Sequence, residues 1–191
     1  RISDDKAPMI KLLTYPDIDP QQWQALIDRS PYATWFQTPE AYQFYEANKE
    51  EMNPFAIGVE EDGHLAGVIV GYTTQEKNPI KQYFTCRSII IGGPLLDEHI
   101  SNDALSALLL AAKSVTKNSI YVETRNFHNY SHRRDLFEAC GFRYQPHYDI
   151  HVHCNATHTM SERRQRELKR AVKNGAKIVE ASSEQEIRDW Y

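Results

Sequence analysis

Apolar residues along this chain follow two spacings, and the alternation between them lays out the elements. Trp23, Leu26 and Ile27 fall on one face of a helix predicted over residues 19–30, with Asp19 as its cap and Pro20 at its first position. Thr38 and Pro39 repeat that signal and predict a second helix to about residue 48. Residues 102–117 have the spacing of a mostly buried helix, and residues 131–139 that of a shorter one stopped by Gly141. Apolar runs and alternations predict strands over 9–15, 55–60, 65–74, 83–91, 119–124 and 142–154. Asp62-Gly63 between the second and third is a hairpin signal. The order β-α-α-β-β-β-α-β-α-β is a meander followed by two helix–strand units. It predicts an α/β (α+β) layer architecture with a mixed, largely antiparallel sheet flanked by helices.

That order resembles the Gcn5-related N-acyltransferase fold, the acyl-CoA N-acyltransferase-like (GNAT) architecture. The likeness rests on the strand at 119–124, the helix from Ser131, and the Gly141-Phe142 step that ends the helix and opens a return strand. Acetyl-CoA-dependent members of that fold carry an Arg/Gln-x-x-Gly-x-Gly/Ala loop, whose backbone N–H groups at a helix N-terminus hold the pyrophosphate. Nothing here matches it. The run RSIIIGG at 87–93 has the wrong spacing and is followed by Pro94, which donates no N–H. Acetyl-CoA is therefore not expected as a cofactor.

Charge adds a second pattern. Residues 161–177 carry seven Lys or Arg against two Glu, a local +5 in a chain of net charge −4, which leaves −9 for the rest. A helix is predicted here, opened by a capping box from Thr159 to Glu162 and stopped at Asn174-Gly175. On it Arg163, Arg166, Arg170 and Lys173 share one face, with Lys169 beside them, while Leu168, Ala171 and Val172 share the other. Such a stripe is either a solvated face or a surface for polyanions. The acidic remainder argues against a general nucleic-acid binder and against sequence-specific DNA recognition.

The run RELKRAVKNGA at 166–176 resembles the Arg-x-Ile-Arg-Lys-Ala-x-Lys-x-Gly-Val signature of the Fem-type aminoacyltransferases (FemA, FemB, FemX and relatives). Two further segments resemble that family: TWFQTPE at 34–40 is similar to its aromatic-Gln-Ser opening of a helix, and IIGGP at 90–94 to its glycine-proline turn. The resemblance implies a first acyltransferase-like domain over 1–157 and, over 158–191, the basic helix with the start of a second one. It implies transfer of an amino acid from aminoacyl-tRNA to an amine of a peptidoglycan or other envelope precursor. Arg163, Arg166, Lys169, Arg170 and Lys173 would then bind tRNA or precursor phosphates. Where the family often places a precursor-contacting lysine, this chain has Tyr45 or Glu46, so a different acceptor is plausible. Because the chain ends within a helical pattern at Tyr191, it is expected to be a fragment that folds without turning over. A non-catalytic acyltransferase-like domain that binds an anionic ligand or a protein partner is the alternative.

Other residues carry less. His147, His151, His153 and His158 with Cys154 suggest a metal, but Cys154 alternates away from His151 and His153 and no second ligand pair completes a tetrahedral set. No metal is expected. Glu123 and Arg125 share a strand face as an ion pair, and Asp149 is a base without a nucleophile beside it. No catalytic residue is assigned. Three scattered cysteines without a CxxC, no signal peptide and no apolar run long enough to span a bilayer give a cytoplasmic expectation.

Overall fold

The computed structural model describes residues 8–148 and 160–190, and the chain divides into two compact units, Arg1–Asp149 and Ile150–Tyr191. In the first unit the elements run β1 (Ile10–Thr14), α1 (Pro20–Arg29), α2 (Pro39–Ala47), β2 (Met52–Glu61), β3 (His64–Thr74), α3 (Pro79–Thr85), β4 (Arg87–Gly92), β5 (Leu95–Leu96), α4 (Asn102–Val115), β6 (Tyr121–Asn126) and α5 (Arg134–Ala139). They form one mixed sheet of order β1-β2-β3-β4-β6, with β5 paired to β3 off that path. Every pairing is antiparallel except β4 with β6, which α4 connects as a crossover.

The start signals read from the sequence are the caps observed. The Asp19 carboxylate accepts from the N–H groups of Gln21 and Gln22, and the Thr38 hydroxyl from Ala41. Asp62 and Gly63 both take positive φ, 51° and 83°, as a tight hairpin demands. The sheet is covered on both sides. Ile57, Val59, Ile69 and Ile90 pack toward Leu105, Leu108 and Leu109 of α4, while Ala56, Val68 and Val70 pack toward Trp23 and Leu26 of α1 and Ala41 and Tyr45 of α2. Burial on both faces is why the middle of β3 reads as an unbroken apolar run.

Four expectations need correction. The strand predicted over 83–91 begins only at Arg87, because Asn78 caps a helix through the N–H groups of Ile80 and Lys81 and Pro79 takes its first position. Hydrogen bonding of Ser119 N–H to the Thr116 carbonyl makes a turn there, so β6 starts two residues later than predicted and reaches Asn126. Residues 142–148 carry no strand, and the rest of that predicted strand lies outside the described residues. The basic helix is capped by Ser161, whose hydroxyl accepts from Arg164 N–H, whereas Thr159 lies outside the described residues. Gly141, at φ 82°, ends α5 as predicted, with Phe142 N–H returning to the Phe137 carbonyl.

A half-buried ion pair ties α1 to the segment after β5. Arg29 Nε lies 2.7 Å from Asp97 Oδ2, and its Nη2 donates to the Leu65 carbonyl. Burial would push the Asp97 carboxyl up, but the His99 backbone N–H and the Arg29 guanidinium outweigh it and hold it below the usual carboxylate range. A depressed folded pKa contributes stability above the ordinary carboxylate value that is lost as pH falls through the folded one. Asp97→Asn should therefore cost up to about 1 kcal/mol at pH 7, and the gap to wild type should close in acid. Urea melts at pH 7 and pH 3 would show it, and equal curves at both would refute it.

Candidate active site at the fork of the sheet

The parallel pair decides where a site can form. β4 and β6 are in register from Arg87↔Tyr121 to Gly92↔Asn126, and Phe127 N–H still reaches the Gly92 carbonyl at 3.4 Å. Beyond that point the partners separate. The chain leaving β4 turns through Gly92 and Gly93, at φ 83° and 79°, and continues as β5 along β3, pairing Val68 with Leu95 and Gly67 with Leu96. The chain leaving β6 passes through Phe127 and His128 to Tyr130 instead. The sheet thus forks at the carboxyl ends of its parallel strands, the place where open α/β sheets hold ligands.

Gln37 fixes one side of the fork. Its side chain is fully buried, with Nε2 donating to the carbonyls of Gly92 (3.1 Å) and Gly93 (3.2 Å) and Oε1 accepting from Thr34 N–H (2.8 Å). Trp23 Nε1 donates to the Gln37 carbonyl at 2.9 Å. The two segments quoted above for their family likeness, 34–40 and 90–94, are thereby one structural unit. A Cβ at Gly93 would collide with the Asn126 side chain, so glycine is required by both φ and space.

Aromatic rings line the notch. Tyr32 OH donates to the Leu96 carbonyl at 2.9 Å and Tyr130 OH to the Pro94 carbonyl at 2.6 Å. The His128 ring stacks on Tyr32 at 4.0 Å and meets Tyr130 edge-on at 5.0 Å. Burial, and then nearby His132, hold the His128 imidazole below the ordinary histidine pKa, so it is neutral at pH 7.

The face of the sheet that packs on α1 and α2 loses its helical cover over β4 and β6. There Arg87 lies 3.4 Å from Tyr121 OH, and Arg125 lies 2.8 Å from Glu123, which it keeps ionised by a direct hydrogen bond. The ion pair read from the sequence is therefore present, on an exposed surface. Tyr45 borders it from α2, ring to ring with Tyr72 at 4.7 Å. Its hydroxyl is buried with no partner among the described residues, and burial pushes its pKa up to about 12. Glu46, the other residue at that expected contact position, is exposed.

At the start of α4 two of the backbone donors are engaged by side chains of the protein. Ser101 N–H donates to Glu61 Oε2 at 3.1 Å, the Ser101 hydroxyl caps Ala104 N–H, and Asp103 occupies the first turn. Asp97 N–H pairs with the Ala66 carbonyl.

In the second unit, α6 (Glu162–Lys173) carries all five cations predicted to bind phosphate, each exposed, and α7 (Glu184–Asp189) follows. Arg163 is paired with Glu167 at 3.0 Å and Arg164 shares that carboxylate at 3.2 Å. Arg166 Nε reaches back to the Glu162 carbonyl, while Lys169, Arg170 and Lys173 have no side-chain partner among the described residues. Among those residues no group of three or more His, Cys, Asp or Glu could hold a metal. His151, His153, Cys154, His158 and Asp149 lie outside them. No described helix is long and apolar enough to cross a membrane.

Sequence reasoning placed Gln37 in a family-like segment without a role, and it missed Tyr32, His128 and Tyr130. Their signal is weak, because only the fork brings residues some hundred positions apart together.

No protein-family model matches the chain, and no curated protein matches it. Among solved structures it is similar to an aminoglycoside acetyltransferase from an uncultured soil metagenomic sample, with 11% identity over 75% of this chain and 95% of that one and a TM-score of 0.52. It is similar also to a transcriptional regulator from Bacillus halodurans C-125, with 14% identity over 76% of this chain and 99% of that one and a TM-score of 0.53. At such identity a likeness speaks for the fold, and with the six-stranded mixed sheet between its helices it identifies that fold as Gcn5-related N-acyltransferase-like.

Proposed function

We propose that this chain is the N-acyltransferase-like part of a Fem-type aminoacyltransferase. It works in the cytoplasm and moves an amino acid from aminoacyl-tRNA to an amine on a peptidoglycan or other envelope precursor. The fork orients the amine against the ester, and transfer is direct, without a covalent enzyme intermediate. The observation that carries the donor assignment is the cationic face of α6, where Lys169, Arg170 and Lys173 are unpaired among the described residues although the chain as a whole is acidic. Phosphates of a tRNA acceptor arm suit such a face.

Acetyl-CoA, the donor that the fold suggests, does not suit these residues. A pyrophosphate cradle needs free N–H groups and positive potential at the α4 N-terminus, and here Glu61 holds the Ser101 N–H and Asp103 adds a second carboxylate. No step is therefore assigned to it.

Arg87, Arg125 and Glu123 on the uncovered sheet face, bordered by Tyr45, Tyr72 and Tyr121, suit a polar acceptor bearing both charge signs. The test is single-turnover transfer by the full-length protein, with tRNA charged with a radiolabelled amino-acid mixture, or with labelled acetyl-CoA, and a UDP-linked muramoyl peptide bearing a free lysine amine. Label should move from tRNA and not from acetyl-CoA. The reverse result would sink the donor assignment, and label from neither would favour a binding domain.

A further inference from the structure

We propose that His128 is the general base of the transfer, taking the proton from the acceptor amine as it attacks. The inference rests on the aminoacyl-transfer reading above. Its ground is the fork: His128 sits just past Asn126, where the β4 and β6 chains part, against the two tyrosines that bridge the notch to β5. Both of those hydroxyls are committed to backbone carbonyls, of Leu96 and Pro94, so the rings hold the imidazole in place without competing for its nitrogens. Neither ring nitrogen is hydrogen-bonded by the described residues. The imidazole is half-buried, open enough to meet an amine.

Three carboxylates of this unit are already engaged. Glu123 is held ionised by Arg125, Asp97 by the His99 N–H and Arg29, and Glu61 is bound to Ser101 N–H. The titratable groups facing His128 are Tyr32 from the α1–α2 connection and Tyr130 and His132 from the segment after β6. None carries negative charge at pH 7, so nothing there stabilises an imidazolium, and the neutral, proton-accepting form is favoured.

The step balances without a further reactant. The neutral amine nitrogen attacks the ester carbonyl carbon of the aminoacyl-tRNA and the C–N bond forms. The nitrogen's proton passes to His128. The C–O bond to the ribose breaks, and the same proton leaves His128 for the departing ribose oxygen, giving an amide and a free hydroxyl.

The test uses His128→Gln, which keeps a polar planar side chain without its basicity, in the full-length protein with the charged tRNA and muramoyl peptide named above. kcat should fall about 10²- to 10⁴-fold with KM little changed. Wild type should lose rate as pH falls through a pKa below the ordinary histidine value, and the variant should lack that limb. His132→Gln, which removes the neighbouring like charge, should move the limb to higher pH. NMR titration of the His128 ring in residues 1–191 should give the same pKa without any need for turnover. A wild type that transfers while His128→Gln matches it in kcat and pH profile overturns the base assignment alone. A wild type that transfers nothing from tRNA overturns the assignment together with the reading it rests on.

Discussion

Gln37→Leu should lower the unfolding free energy by about 3 to 5 kcal/mol, one of the largest single losses available in this fold. The leucine has nearly the right volume, so the loss comes from polarity rather than from a cavity. The Gly93 carbonyl and the Thr34 N–H would each lose their partner, at about 1 to 3 kcal/mol for a group left unsatisfied, and the Gly92 carbonyl would keep only the 3.4 Å bond from Phe127 N–H. Some relaxation toward water keeps the total below the upper sum. In a chain of this size the melting temperature should drop by about 10 °C. Thr34→Val is the graded control: it removes only a hydroxyl contact of 3.2 Å to Gln37 and should cost about 1 kcal/mol. Urea titrations of both variants give the comparison. A Gln37→Leu protein within 1 kcal/mol of wild type would mean that the fork does not depend on this clamp.

Reversing the charge of α6 should leave the fold and remove the ligand. Arg166, Arg170 and Lys173 changed together to Glu touch no buried residue of α6, and surface changes usually cost within about 0.5 kcal/mol each. Arg170 and Lys173 lie in the last turn, where cations suit the helix dipole, so a small further loss of helicity is expected there. For tRNA the effect is far larger. Each phosphate contact contributes roughly 0.7 to 0.9 to the slope of log affinity against log salt. Losing three should flatten that slope by about 2 to 3 and weaken binding about a hundredfold at 0.15 M salt. Filter binding of the full-length protein to uncharged tRNA over a salt series measures both. An unchanged slope would make the stripe a solvated face and the donor assignment untenable. Arg163→Gln, which removes a cation already paired with Glu167, should do least.

The caps at Asp19 and Thr38, the hairpin at Asp62-Gly63 and the stop at Gly141 were legible because each depends on chemistry within four residues of chain. The helix at Pro79–Thr85 carried the same cap-then-proline signal, yet Tyr83 and Phe84 look like strand residues by propensity, and both prove to be exposed on that helix. The basic stripe was legible too, since the period of a helix alone sorts Arg166, Arg170 and Lys173 from Leu168 and Val172.

The sequence by itself determined the antiparallel meander, the buried helix that follows it, and the one-faced charge of α6, because each follows from local propensity or from periodicity. Only the tertiary structure decided that the sheet forks after Gly92, that Gln37 holds that turn from 55 residues away, and that His128 comes to rest on Tyr32. Those depend on which strands pair and where the pairing ends, a balance of long-range burial and backbone hydrogen bonding that no short window of residues encodes.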